Sequence, residues 1–248
     1  MGGSVLTVVT IDGQLGAGAP EIGRLVAGAM QYDFRDRLVL VGAAKRLSAT
    51  VEAVSEKQYR LDIKSDWIWR FVEKIISSLA MGSIPYEPYL GTMNADPLPI
   101  TWDESVTGPR TSHNELTADE VGGAIKDEIT DVSLAGNVVI VHRAGCVEID
   151  DKDNLLRVGL FAPWNERVGR LMSRECFKKF TEAERSLEER ERSQVAYFKK
   201  FHGVHPHDAD LYDLSMETSI SNLEDLAYRI VKILKGSLDR NSITVAAT

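Results

Sequence analysis

Two glycines five positions apart, Gly13 and Gly18, enclose the segment GQLGAG directly after an apolar, β-branched run at Val5 to Ile11. The order strand, glycine-rich turn, helix is one way a chain aims backbone N–H groups at a phosphate, because the helix end behind the turn adds positive potential. Gly13, Gln14, Gly16, Ala17, Gly18 and Ala19 are therefore the candidate phosphate cradle. The spacing fits Gly-x4-Gly-Lys-Ser/Thr, but Ala19 stands at the lysine position and Pro20 at the position of the magnesium-liganding hydroxyl. Both charge-handling side chains are missing, and Pro20 removes one further N–H. Taken alone, the loop is explained equally well by a turn that binds nothing.

Other residues suited to chemistry lie downstream. Arg143 follows the compact apolar run NVVIVH, at the end of a core strand, where ligands collect in open α/β sheets; a structural ion pair is its plainer role. Arg167 and Arg170 fall in a helical stretch after a second apolar run, LLRVGLFA, and a solvated helix face accounts for them too. Arg190 and Arg192 sit in SLEERERSQ, which reads first as a charged helix face. His202, His205 and His207, with Asp208 and Asp210, have metal-ligand chemistry; a solvated loop is the plainer alternative, and no metal ligands are assigned. No nucleophile-elbow or hydrolase-triad pattern is present.

The elements that must position these groups follow from periodicity. Pro20 and Glu21 suit the first turn of a helix running to about Met30. Phe34 to Leu47 is expected to be helical, with Asp36 on it between Arg35 and Arg37. Ser48 is expected to cap a helix through Lys57, and Asp66 to Leu79 to form another. Residues 82–116, rich in proline, read as an excursion from the core. Thr117 with Glu120 is a capping box for a helix to about Val132, and Thr181 with Glu184 predicts a second box opening a helix that stops near Gly203. Strands are expected at 137–142, 155–162 and 212–216, with the polar turn DDKDN between the first two. Helices are expected over Pro163 to Phe177 and Asn222 to Lys235. Repeated strand-then-helix order predicts a mostly parallel sheet with helices on both faces.

Composition narrows the partners. A net charge of −8 and a pI near 5.2 argue against a nucleic-acid surface, which needs a basic patch. No polybasic membrane patch, secretory leader or uninterrupted span of ~18 apolar residues is read. Cys146 and Cys176 fit neither a disulfide framework nor a Cys-x-x-Cys site, so reduced thiols in the cytoplasm are expected. The oligomeric state is left open. One domain over 1–248 is expected, with an insertion at about 82–116 and a lid at about 174–203.

With these elements placed, VVTIDGQLGAGAPEIGRLVA resembles the opening of the cytidylate-kinase-like family, including its Glu-Ile-Gly helix start at Glu21, Ile22 and Gly23. The resemblance resumes at YDFRDRLVLVGAAKRL, NVVIVHRAG, LLRVGLFAPWNERVGRLM, AYFKKFHGV and YDLSMETS. It implies a three-layer P-loop kinase-like fold with a helical lid, and transfer of the ATP γ-phosphate to a nucleoside monophosphate, CMP, with Mg²⁺. By the same resemblance Arg143 and Asp36 would meet the acceptor, Arg167 and Arg170 the donor nucleotide. The family itself often lacks the loop lysine. Departures are His142 for a glycine, Glu191 and Gln194 where an aspartate and a lid arginine are usual, and Glu217 for an asparagine. Arg190 and Arg192 are the candidates to replace the lid arginine. The departures keep a second reading alive, a weak or inactive relative serving as nucleotide sensor or scaffold. A third is a kinase of another small acceptor.

Overall fold

A run of β-branched residues that alternates between two apolar environments makes a strand buried on both sides, and Val8–Gly13 forms strand β1 with every residue buried. The computed structural model describes residues 8–36, 38–49, 116–150 and 154–236. Within them β1 is the middle of a five-stranded, all-parallel sheet of order β2-β3-β1-β4-β5. The other strands are β2 (Asp33–Arg35), β3 (Val138–Val141), β4 (Leu155–Phe161) and β5 (Leu214–Glu217). The helices are α1 (Ala19–Met30), α2 (Leu38–Arg46), α3 (Ala118–Ala135), a single turn α4 (Gly145–Glu148), α5 (Trp164–Arg174), α6 (Phe180–His202) and α7 (Leu223–Leu234).

The sheet is filled from both faces, as the two-residue period of strands requires. Val9, Ile11, Val139 and Val158 pack against Ile22 and Val26 of α1 and Leu226 and Ile230 of α7. Val8, Val138, Ile140 and Leu155 point the other way, onto α2 and α3. Gly23 lets α1 lie close to the sheet: a methyl group there would sit 2.7 Å from Val141 Cγ2 and 2.9 Å from Phe34 Cε2.

Several local expectations change. Phe34 is not helical; β2 pairs Phe34 with Val139 of β3, and the helix begins only at Leu38. Pairing with an existing strand outweighs the helical propensity of the segment. Thr181 caps nothing: α6 starts at Phe180 with Lys179 as its cap, and Glu184 instead accepts from Trp164 Nε1 at 3.0 Å. Ser48 sits in a left-handed turn at φ 48°. Beyond Ala49, the helix expected at 48–57 lies outside the described residues, as do the helix expected at 66–79 and the proline-rich stretch except Leu116. Between β3 and β4 the chain makes α4 before the polar turn, of which 151–153 also lie outside. The last strand begins at Leu214, two residues later than expected. No described helix is long and apolar enough to cross a membrane.

The Thr117 box forms in full. Glu120 N donates to Thr117 Oγ1 at 3.1 Å, and Thr117 N donates to Glu120 Oε2 at 2.6 Å. Thr117→Ala is expected to cost about 1 kcal/mol, read as a melting temperature lower by roughly 2–4 °C in a domain of this size. No change in a thermal melt would show that the cap contributes nothing.

Candidate functional site

The loop between β1 and α1 is fixed by bonds to its surroundings. Gln14 N donates to Leu160 O at 2.8 Å, and Gln14 Oε1 accepts from Ala162 N at 3.0 Å, so one glutamine ties the loop to the end of β4. Gly13, Gly16 and Gly18 have φ of 100°, 83° and 99°, a region that side chains rarely enter. Ala17 N and Ile22 N donate to Gln14 O and Gly18 O. The N–H groups of Leu15, Gly16, Gly18 and Ala19 donate to no carbonyl of the described residues. Four such donors at the start of a twelve-residue helix are what an anion takes up. Ala19 itself is buried in the core cluster.

Asp12, one residue before the turn, is the group that the sequence reading passed over. It is 0% exposed, and neither carboxylate oxygen has a full hydrogen bond among the described residues. Around it lie His142, Cys146 and the N–H groups of Cys146 and Ala144. Burial pushes its carboxyl up from the ordinary aspartate range, more than these neighbours pull it down. Burial likewise lowers His142 and raises the Cys146 thiol and the Tyr197 and Tyr212 hydroxyls, so all four are neutral near pH 7. The available signal was period two: Thr10 and Asp12 are polar residues on one face of a strand whose other face is core.

His142, Arg143 and Ala144 form three consecutive left-handed residues at φ 63°, 68° and 60°. Each costs of the order of 1 kcal/mol for a residue with a Cβ, so such a run persists only where its surroundings hold it. His142 N donates to Ile11 O at 2.9 Å, and Val147 N and Glu148 N both donate to Ala144 O. This turn carries Arg143. The charges acting on His142 are Asp36, Asp12, Arg143 and Glu21, so the acceptor-side candidates Asp36 and Arg143 share one neighbourhood with Asp12, at the carboxyl ends of the strands. Asp36 lies in a bend after β2, not on a helix.

The remaining candidates divide. Arg167 reaches the loop: its Nη1 donates to Leu15 O at 3.2 Å and to Glu191 Oε1 at 2.5 Å, and a Cβ on Gly16 would lie 2.8 Å from its carbonyl oxygen. Arg170 braces the end of β5 instead, with two 2.8 Å bonds to Thr218 Oγ1 and Thr218 O. Arg190 makes two bonds to the Glu175 carboxylate, at 2.6 and 2.7 Å, and Arg192 pairs with Glu188 on the exposed side of α6. The α6 side chain that touches the loop is Gln194, whose Nε2 donates to Gly13 O at 3.0 Å. Among the described residues neither arginine is bonded to the loop; both are engaged by carboxylates.

Two of the three clustered histidines lie against carboxylates. His202 Nε2 is 3.2 Å from Glu148 and His207 Nε2 is 3.3 Å from Glu191, while His205 Nδ1 accepts from His207 N. Among the described residues no group of three or more His, Cys, Asp or Glu is arranged to hold a metal unaided.

Asp12 gives a signed prediction. A carboxyl raised in the folded state favours folding below its unfolded pKa, and that contribution is lost as pH rises through the folded value. Asp12→Asn is therefore expected to raise the melting temperature of the ligand-free protein near pH 7, with the gain disappearing below about pH 4. Melts across this range check it; an equal loss at every pH would mean that the carboxylate is well bonded.

The sequence model described as the cytidylate kinase-like family matches residues 8–220. Over 104 residues the chain is 36% identical to a cytidylate kinase of Methanopyrus kandleri, covering 41% of this chain and 53% of that protein. Over 103 residues it is 25% identical to a cytidylate kinase of Methanosarcina mazei, covering 42% and 55%. The chain thus spans about half the length of the curated relatives it matches. Among solved structures, an uncharacterized protein from Eubacterium ventriosum shares the fold at a TM-score of 0.58 and 12% identity, covering 93% of this chain and 99% of that one.

Proposed function

The chain belongs to the cytidylate kinase-like family, and on that premise we propose that it binds a nucleoside triphosphate at the Gly13–Gly18 loop and passes its γ-phosphate, slowly, to a nucleoside monophosphate. The single observation that carries this is the set of loop N–H groups left without carbonyl partners at the start of α1. They hold the donor phosphates. Arg167, already bonded to the loop, adds positive charge beside them, and Arg143, on its left-handed turn next to His142 and Asp36, faces the acceptor. Transfer asks little covalent chemistry of a protein, only alignment and neutralisation of charge, and a monophosphate oxygen is already a nucleophile. Mg²⁺ held at the loop would supply positive charge to neutralise the donor phosphates. CMP is the acceptor proposed from the two archaeal relatives' names.

The absence of lysine at Ala19 and the engagement of Arg167 by Glu191 favour turnover well below the ~1–100 s⁻¹ usual for kinases. They also favour a second reading, a nucleotide sensor that binds without turning over. Thermal melts with ATP or ADP, paired with a coupled assay over the common monophosphates, separate the two, since a ligand that binds only the folded state must raise the melting temperature. A shift with product supports the kinase, and a shift without product supports the sensor. No shift with any nucleotide, together with no product, removes both.

A further inference from the structure

A phosphate loop that works with Mg²⁺ ordinarily holds the ion through the loop hydroxyl and an aspartate on a core strand. Here Pro20 occupies the hydroxyl position, and β3, the neighbour of β1, runs Val141, His142 with no carboxylate at its end. Asp12 stands at the corresponding end of β1. It is completely buried, neither of its oxygens makes a full hydrogen bond among the described residues although the Cys146 thiol and the N–H groups of Cys146 and Ala144 lie close to it, and it adjoins Gly13, the first residue of the cradle. From the other side Gln194 is anchored through Nε2 to Gly13 O, which leaves its Oε1 without a partner. Beside the loop, the Asp12 carboxylate and Gln194 Oε1 are thus hard oxygen acceptors left unmet.

We propose that Asp12, with Gln194 Oε1, is this chain's ligand for the divalent cation of the nucleotide, approached from the β1 side of the loop and replacing the missing hydroxyl. The inference rests on the nucleotide-binding reading and adds the metal seat to it. The chemistry is that of Mg²⁺ or Mn²⁺, which take oxygen ligands and commonly use one or two carboxylates plus substrate phosphates and water. Electrostatics points the same way. A carboxylate next to a polyphosphate, in a loop without lysine, repels it unless a cation lies between them. Because no described cluster can hold a metal unaided, binding of metal and nucleotide is mutually dependent.

The test uses the full chain. Nucleotide affinity is measured from melting shifts with ADP in EDTA and with ADP plus excess Mg²⁺, in wild type and in Asp12→Asn. Wild type is expected to gain at least about tenfold in affinity from Mg²⁺. Asp12→Asn is expected to lose that gain while keeping or improving binding in EDTA, where the repelling charge is gone. Independently of any substitution, Mn²⁺ with ADP should broaden the amide resonances of Gly13, Ala144 and Cys146 before others, and Mn²⁺ alone should not. A full Mg²⁺ gain in Asp12→Asn, or Mn²⁺ broadening centred elsewhere, overturns the metal seat and leaves nucleotide binding standing. If no nucleotide shifts the wild type with or without metal, the nucleotide reading falls and the metal seat with it.

Discussion

Gly13→Ala is expected to be the most damaging small substitution in the described chain. A Cβ at this position would lie 2.3 Å from Leu160 O and 2.6 Å from Leu160 N, both backbone atoms of β4, and φ is +100°. Neither the central sheet nor a strand-end carbonyl can move aside as a flexible side chain would. Left-handed strain and overpacking together should cost roughly 3–5 kcal/mol, a fall of about 10 °C in melting temperature for a chain of 248 residues. Gly28→Ala is the control. It lies within α1, exposed, with nothing within 4 Å of the added methyl, so the same change should be neutral or stabilise by about 0.5–1 kcal/mol. Equal melts for the two variants would mean that the close approach of loop and β4 is not rigid.

Arg167→Ala is expected to have the second largest effect. The guanidinium is 7% exposed and the Glu191 carboxylate 16%, their contact is 2.5 Å, and the arginine also lies over the Trp164 ring at 4.9 Å. Removing one partner of a buried pair strands the other, at a cost of about 3–5 kcal/mol; His207, 3.3 Å from Glu191, softens this. Arg167→Ala with Glu191→Ala should recover part of the loss, because no charge is then left unpaired. The acid limb adds a check. Burial pushes the Glu191 carboxyl up, but His207 and Arg167 outweigh it and hold it below the ordinary glutamate range. Its stabilising contribution is therefore present above the unfolded pKa and lost as pH falls through the folded one. Melts of Glu191→Gln should lose this acid-side dependence, opposite in sign to that expected for Asp12→Asn. A double variant no more stable than Arg167→Ala would show that the pair is not what holds α5 to α6.

Local signals in the chain were enough for the parts of the fold that neighbours in sequence dictate. An apolar run, a turn of glycines, then Pro20 and Glu21 mark out β1, the loop and α1 in order, although bonds to β4 fix the loop's shape. Thr117 and Glu120, three residues apart, make their own cap. Asn222 likewise caps α7, accepting from Asp225 N at 2.7 Å. Charge and composition also fix what the loop lacks, since no tertiary arrangement returns a lysine to position 19 or a hydroxyl to position 20. What the tertiary structure alone decided are contacts between segments far apart in the chain. Phe34 becomes a strand residue because β3 is there to pair with it. Glu191 takes Arg167 across 24 residues, and Gln194 reaches Gly13 across 181. Asp12 looks like the polar end of a strand until the sheet, the 142–144 turn and α6 close around it and remove its water. Periodicity reports which face of an element is apolar, whereas the energy of a buried charge depends on what meets it, and that is settled only when distant segments pack.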